Sequence, residues 1–285
     1  MGNKSTNDQS TTSTTNWEQI ELSRHPQRPY TLDYIPELFE DFLELKGDRC
    51  FKEDPALIAG MGVLKAFGSQ NPSQSVFFVG HQKGRNTKEK IHRNFGMAKP
   101  EGYRKAIRVF ELAERFQKPV ICFIDTPGAF PGVGAEERGQ AEAIASCIDC
   151  MLKLSVPSVG VVIGEGGSGG ALAIGSTNSL LMMENATYSV ISPESCAAIL
   201  WGTADEAKKA AEALKPTAQF VKKLGICDEI IQESEGGAHT DLSKSSQNIL
   251  KKLHKHLSKL NQFNTKERQE QKWQKYRFFD EQNFS

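Results

Sequence analysis

The segment Val161-Val162-Ile163-Gly164-Glu165-Gly166-Gly167-Ser168-Gly169-Gly170-Ala171-Leu172-Ala173 is the part of this 285-residue chain best suited to chemistry. An apolar, β-branched run ends in five glycines within seven residues, and small residues follow. Glycine lets a backbone turn tightly and lets other groups come close. The first amides of a helix beyond such a turn have no internal partner and carry the positive end of the helix dipole. That predicts a seat for negative charge, permanent or developing. Three chemistries fit. Gly164, Gly166 and Gly169 spell GxGxxG with Glu184 twenty residues on, the dinucleotide fingerprint of an NAD(P)-binding oxidoreductase. Against it, Gly175-Ser176-Thr177-Asn178 stops the helix after about two turns. Gly166-Gly167-Ser168-Gly169-Gly170 also reads as GxSxG, the elbow of a serine acyl hydrolase, with Asp228 and His239 following in hydrolase order. The third reading is an oxyanion hole made of backbone N–H groups alone. No Walker lysine follows, which excludes a P-loop.

A second marker is Asp125-Thr126-Pro127-Gly128-Ala129-Phe130-Pro131-Gly132-Val133-Gly134, a stiff loop after the apolar run Val120–Ile124. Open α/β sheets place ligands at such strand ends, so Gly128, Ala129 and Gly132 are candidate substrate-binding positions. Asp125 alone reads as a cap. The third marker is charge. From Lys83 to Arg108 nine Lys/Arg face only Glu89 and Glu101, a candidate anion surface in which Lys83, Arg85 and Arg104 are the expected substrate contacts. Cys147 and Cys150 form a CxxC, but there is no second close pair and the pattern around them is helical. They read as core packing, with no metal site expected.

Parallel strands alternating with helices are the elements that would place these residues. Strands are predicted at Ser75–Gly80, Val120–Ile124, Val159–Ile163, Leu180–Met183 and Tyr188–Ile191. Helices are predicted around Pro36–Leu45, from Pro100 to Phe116 and over Ala141–Leu152, with polar helices at Lys251–Leu260 and Thr265–Phe279. The class is α/β. Residues 1–16 hold eight Ser/Thr and read as a disordered tail. One domain is expected over 17–285, with its core at about 50–235 and C-terminal helices at about 243–280. Thirty-five basic and thirty-five acidic residues cancel, which argues against a general nucleic-acid or membrane-surface binder. No apolar run approaches a membrane span and no signal peptide opens the chain. A soluble, cytoplasmic protein with reduced cysteines is the expectation.

Several longer motifs run through the chain in order. They are His25-Pro26-Gln27-Arg28-Pro29-Tyr30-Thr31-Leu32-Asp33-Tyr34, His81-Gln82-Lys83-Gly84-Arg85, Asn94-Phe95-Gly96-Met97 and Pro100-Glu101-Gly102-Tyr103-Arg104-Lys105-Ala106. Further on come Asp125–Gly134 with Ala135-Glu136-Glu137-Arg138-Gly139-Gln140, the Gly164–Ala173 segment, Tyr188-Ser189-Val190-Ile191-Ser192-Pro193-Glu194 and Gly236-Gly237-Ala238-His239. Together they resemble the family of carboxyltransferase alpha subunits of bacterial-type acetyl-CoA carboxylase, from about Trp17 to the C-terminal helix. The resemblance implies a crotonase fold of repeated β-β-α units with flanking N- and C-terminal helices. It implies carboxyl transfer from carboxybiotin to acetyl-CoA, giving malonyl-CoA, the first committed step of fatty acid synthesis. Biotin would ride on a biotin carboxyl carrier protein. A beta subunit with its own zinc ribbon would complete an α2β2 assembly, served by a biotin carboxylase that uses ATP. Gly169 and Gly170 match the family's oxyanion-hole glycines, so no side-chain nucleophile or base is required. The compartment implied is the bacterial cytosol, or the plastid stroma for a plastid-derived chain. Related sequences usually carry a longer helical segment before the His-Pro-Gln-Arg-Pro stretch, where this chain has its Ser/Thr-rich tail.

Overall fold

A computed structural model describes residues 15–282. The predicted tail lies outside them except for its last two residues. Thr15 and Asn16 are ordered instead, because the Thr15 hydroxyl and the Glu18 carboxylate form a reciprocal cap on the first helix. That helix is α1 (Asn16–Ser23), followed by α2 (Thr31–Leu38), β1 (Phe39–Glu44), β2 (Leu57–Leu64) and β3 (Gln74–His81). Next come α3 (Thr87–His92), α4 (Pro100–Phe116), β4 (Val120–Thr126), α5 (Val133–Glu136) and α6 (Gln140–Lys153). The middle of the chain gives β5 (Ser158–Gly167), α7 (Ser168–Gly175), β6 (Ser179–Met183) and β7 (Thr187–Ser189). It closes with α8 (Pro193–Trp201), α9 (Ala207–Leu214), α10 (Ala218–Lys223), β8 (Glu229–Ile231), α11 (Leu242–Asn261) and α12 (Thr265–Gln282).

The eight strands form one sheet in the order β1-β2-β3-β4-β5-β6-β8, with β7 pairing the far end of β5. The β1–β2 and β2–β3 pairs are antiparallel and the rest parallel. Every residue of β4 is buried, as expected of a parallel strand covered on both faces. The β4–β5 register runs evenly from Val120↔Ser158 to Ile124↔Val162, then jumps to Thr126↔Gly166. Strand β5 therefore spends four residues where β4 spends two, a bulge at the C-terminal edge of the sheet.

Helix α4 starts at Pro100, as predicted, and ends where Gln117 turns left-handed. Its buried stripe of Tyr103, Ala106, Val109, Phe110 and Ala113 packs on α6, β2 and β3. Helix α11 buries Ile249, Leu253, Leu257 and Leu260. The described part of helix α12 docks by donating to the open carbonyl ends of other elements. Lys272 Nζ donates to Met151 O at 2.8 Å and Leu154 O at 3.2 Å, and Tyr276 Oη to Thr177 O at 3.1 Å.

Two predicted elements change. Pro36–Leu45 is the end of α2 followed by β1, because the chain after Leu38 pairs with the edge of β2 and leaves the helix. Tyr188–Ile191 shrinks to the three-residue β7, which pairs only with Glu165–Gly167. Strands β2 and β8 and helices α8 to α10 were not anticipated. Among the described residues no helix is long and apolar enough to cross a membrane.

Candidate functional site

Strand β5 continues through Gly167, so the turn is a single residue. Ser168 takes φ +49 and α7 begins at once. The glycines around it differ in what they do. A side chain at Gly167 would strike the carbonyl of Pro127, and one at Gly166 the ring of Tyr188. At Gly170 a Cβ would lie 2.8 Å from Gly128 C and 2.9 Å from Ala129 N. These glycines let the Pro127–Ala129 segment lie directly on the first turn of α7. Gly169 is different, with only Ile144 nearby at 3.5 Å, and Gly128 has open space at its side-chain position. Among the described residues no side chain caps α7. Its first N–H groups, including those of Gly169 and Gly170, stand without helical acceptors at the dipole's positive end. The predicted site residues Gly128, Ala129, Gly169 and Gly170 thus come together. Gly132 lies further along the same loop, where a side chain would strike the Phe130 ring.

The two rival motifs do not assemble. Gly164 and Gly166 are strand residues, and the space at Gly164 is filled by the Asp125 carboxylate, so GxGxxG forms no phosphate loop. Glu184 accepts the Glu233 N–H at 3.2 Å. Asp228 donates its N–H to Leu180 O, and Leu180 is level with Gly160 in the sheet. Ser168 follows the end of β5, past the bulge, roughly 20 Å away at about 3.3 Å per residue of the β4 register. His239 stacks on His25 at 3.8 Å, and its Nδ1 has no partner among the described residues. The GxSxG reading fails for want of a triad.

Beside the turn lies a charged chain that the sequence reading mostly missed. Lys83 Nζ contacts Asp125 at 2.6 Å and Glu165 at 2.7 Å; Arg24 bridges Glu165 at 2.7 Å and Glu194 at 2.6 Å. Asp125 also accepts the Glu165 N–H at 2.9 Å, so it fills the β5 bulge and is more than a cap. Burial opposes the charge on Lys83, yet its two carboxylates raise its pKa. Burial likewise works against Glu165, but Lys83 and Arg24 hold it low. Asp125 is shifted upward, because burial outweighs Lys83 there. The visible signal was Glu165, one charge inside an apolar, glycine-rich strand end.

The rest of the basic stretch is spent in the same way. Arg85 pairs with Asp33 and stacks 4.1 Å over Tyr30. Arg104 pairs with Asp48 at 2.9 Å, in a separate cluster with Glu101 and Arg138. Lys105 is buried against Glu53. Among the described residues Lys88 and Lys90 make no ion pair, and Lys90 lines a cavity of about 300 Å³ with Lys83, Arg24, Tyr30, Phe95 and Pro127. Cys147 is buried in α6, its thiol donating to Ala173 O at 3.2 Å.

The family described as acetyl co-enzyme A carboxylase carboxyltransferase-like matches residues 2–280. The chain belongs to that family. It is 52% identical to the acetyl-coenzyme A carboxylase carboxyl transferase subunit alpha of Pseudoalteromonas atlantica, over 92% of this chain and 80% of that one. The subunit of the same name from Thermus thermophilus is also 52% identical, over 92% and 82%. Among solved structures, the transcarboxylase 12S hexamer core superposes with a TM-score of 0.61 at 18% identity. That match covers 79% of this chain but only 40% of the transcarboxylase chain. A subunit of a Pseudomonas malonate decarboxylase hetero-tetramer gives 0.60 at 15% identity, over 79% and 90%. The architecture is the crotonase fold the sequence led us to expect.

In this member of the carboxyltransferase-like family, the motifs that carried the resemblance meet in space. Arg28 of the first motif and Glu233, just before Gly236–His239, form a fully buried ion pair at 2.6 Å. Arg28 Nε also donates to Ile163 O at 2.6 Å, on the rim of the β5 bulge. Asn94–Met97 folds over Lys83, because Asp54 holds Asn94 Nδ2 at 3.1 Å and Lys99 N at 2.6 Å. A side chain at Gly96 would strike Lys83 Cγ at 2.7 Å. Gln140, which closes the 134–140 motif, holds Phe130 O at 2.9 Å.

Proposed function

We propose that this chain is the alpha subunit of an acetyl-CoA carboxylase carboxyltransferase. With a beta subunit, in an α2β2 assembly, it transfers the carboxyl group from carboxybiotin on a biotin carboxyl carrier protein to acetyl-CoA, forming malonyl-CoA. A biotin carboxylase that uses ATP reloads the carrier, in the cytoplasm or in the stroma of a plastid. The observation that carries this reading is the uncapped first turn of α7, set against Gly128–Ala129. The nearby Lys83, Asp125 and Glu165 are committed to one another, and no serine–histidine–aspartate set assembles among the described residues.

The open positions at Gly169 and Gly128 fit a planar, hydrogen-bond-accepting group brought in by a partner. Carboxybiotin, when bound, supplies the carboxyl group and an oxygen on which negative charge collects as that group leaves. The Gly169 and Gly170 N–H groups are the donors for that oxygen. Their aim is set beforehand by the packing of Gly167 on Pro127 and of Gly170 on the 128–129 peptide. A preorganised donor of this kind is worth about 3–4 kcal/mol in the transition state. Gly128 and Ala129 form the facing wall, and Gly132 shapes the loop beyond. The contacts of Lys83, Arg85 and Arg104 support an indirect part for each in substrate binding. They brace the β5 bulge, the Tyr30 wall of the cavity and the start of α4. Exposed Val133, Leu172 and Val190 sit on segments leaving the same sheet edge, which supports a partner that covers the site and brings the acetyl-CoA half.

Co-expression with a beta subunit, followed by an assay for malonyl-CoA, tests the reading. The complex should transfer carboxyl and the isolated chain should not. Malonyl-CoA from the isolated chain, or none from a well-formed complex, would contradict it. Ser168→Gly should keep most of the activity, since glycine takes a positive φ without strain and no serine nucleophile is used.

A further inference from the structure

Beneath the loop that faces α7, two buried side chains hold polar atoms with no partner among the described residues. The Tyr103 hydroxyl, on α4, is fully buried and is one of them. It lies 3.1 Å from the point a Cβ at Gly170 would occupy, the same point that the Gly128–Ala129 peptide approaches to 2.8–2.9 Å. Gln140 gives its Nε2 to Ala98 O and Phe130 O, both at 2.9 Å, while its Oε1 accepts nothing. A buried orphan of this kind costs stability and asks for a reason. The loop is fastened at the peptide's own carbonyl and again beyond it. Thr126 Oγ1 donates to Gly128 O at 2.7 Å, and Phe130 N to Ala98 O at 3.0 Å. Gly128 itself takes φ +155 with open space at its side-chain position.

We propose that Tyr103 is a positioning residue for the anion seat, its hydroxyl donating to the Gly128–Ala129 peptide when a ligand oxygen settles at the first turn of α7. The inference rests on the carboxyl-transfer reading above. Gly128 O has a second lone pair to accept with. The Ala129 N–H belongs to the same peptide and points the opposite way, so a donor at the carbonyl end polarises and aims the N–H end. Burial raises the phenol pKa well above its ordinary value, which keeps the group a donor at any working pH.

The test is Tyr103→Phe in the co-expressed complex, run beside the wild type. Removing the hydroxyl should lower kcat about 10- to 100-fold, the scale of a small misplacement of reacting groups. KM for the carboxylated carrier should stay within about twofold. The Tm should hold or rise by a few degrees, because an unpaired buried donor has been removed. A kcat within twofold of wild type overturns the inference. So does a lowered Tm with activity that falls only as the folded complex is lost, since the hydroxyl would then be structural. A wild-type complex that transfers nothing removes the carboxyl-transfer reading and this inference with it. An active wild type with an unaffected Tyr103→Phe removes the inference alone.

Discussion

Residues 83–108 carry nine cations, and residues 161–173 carry one charged side chain, Glu165. The first stretch commits its buried and half-buried cations to carboxylates and carbonyls of its own chain, through Lys83, Arg104 and Lys105. The second keeps the uncapped amides of α7 pointed at open space. A buried side-chain charge must find a partner, and once paired it has little field left for a ligand. A helix end needs no counter-ion, costs nothing to charge and is fixed by backbone packing. In this protein, side-chain charge builds the frame and the backbone meets the anion.

Lys83→Met should break that division most severely. It leaves Asp125 and Glu165 facing each other in the β5 bulge with one cation fewer. The expected cost is about 3–5 kcal/mol of folding stability, read by urea denaturation. Lys90→Gln, in the same stretch but exposed, should change stability by less than about 0.5 kcal/mol. Equal losses from the two would erase the distinction between frame and surface.

Glu229 extends the comparison to the outer helices. Burial works against its charge, but Lys252, Lys255 and His256 pull its pKa from 4.5 down to about 2. A lowered pKa in the folded state means stability that is fully present above pH 4.5 and lost as pH falls toward 2. Acid titration of the Tm should show that loss over this window, and Glu229→Gln should flatten it. An unchanged acid limb would show that α11 is held on β8 by packing alone.

The smallest effect is expected from Lys88 and Lys90 changed together to Gln. Arg93, Lys99 and Arg108 also lack a carboxylate partner among the described residues but are engaged with Pro55 O, the Phe130 ring and the Lys46 and Gly47 carbonyls. Lys88 and Lys90 are exposed and without an ion pair, free to steer an anionic substrate. KM should rise about two- to fivefold at low salt and converge with wild type at high salt. A large fall in kcat would give these lysines a direct role that their exposure argues against.

Much of the frame could be read from sequence because its signals are local. Strands β4 and β5 announce themselves as unbroken apolar runs, and Pro100 with Pro119 brackets α4. The turn into α7 was legible from its glycines alone. What local pattern could not show is pairing across the chain. Arg28 and Glu233 are 205 residues apart, and nothing near either one says that they meet. Asp125 looked like a loop cap, because its role depends on a bulge that exists only once β4 and β5 pair. Phe39–Glu44 kept a helical pattern until the edge of β2 claimed it.

The most direct test is the ratio of carboxyl-transfer rates in the complex for Gly169→Pro against Gly169→Ala. Alanine keeps the N–H and its Cβ fits beside Ile144 at 3.5 Å. Proline near a helix start removes an N–H that the helix does not use. A proline also strains the left-handed Ser168 before it, so assembly and Tm are measured on the same samples and rates are compared per assembled complex. If the α7 amides hold the developing charge, the proline variant transfers about 10²–10³-fold more slowly than the alanine variant. Equal rates in two well-assembled complexes would contradict the backbone anion seat.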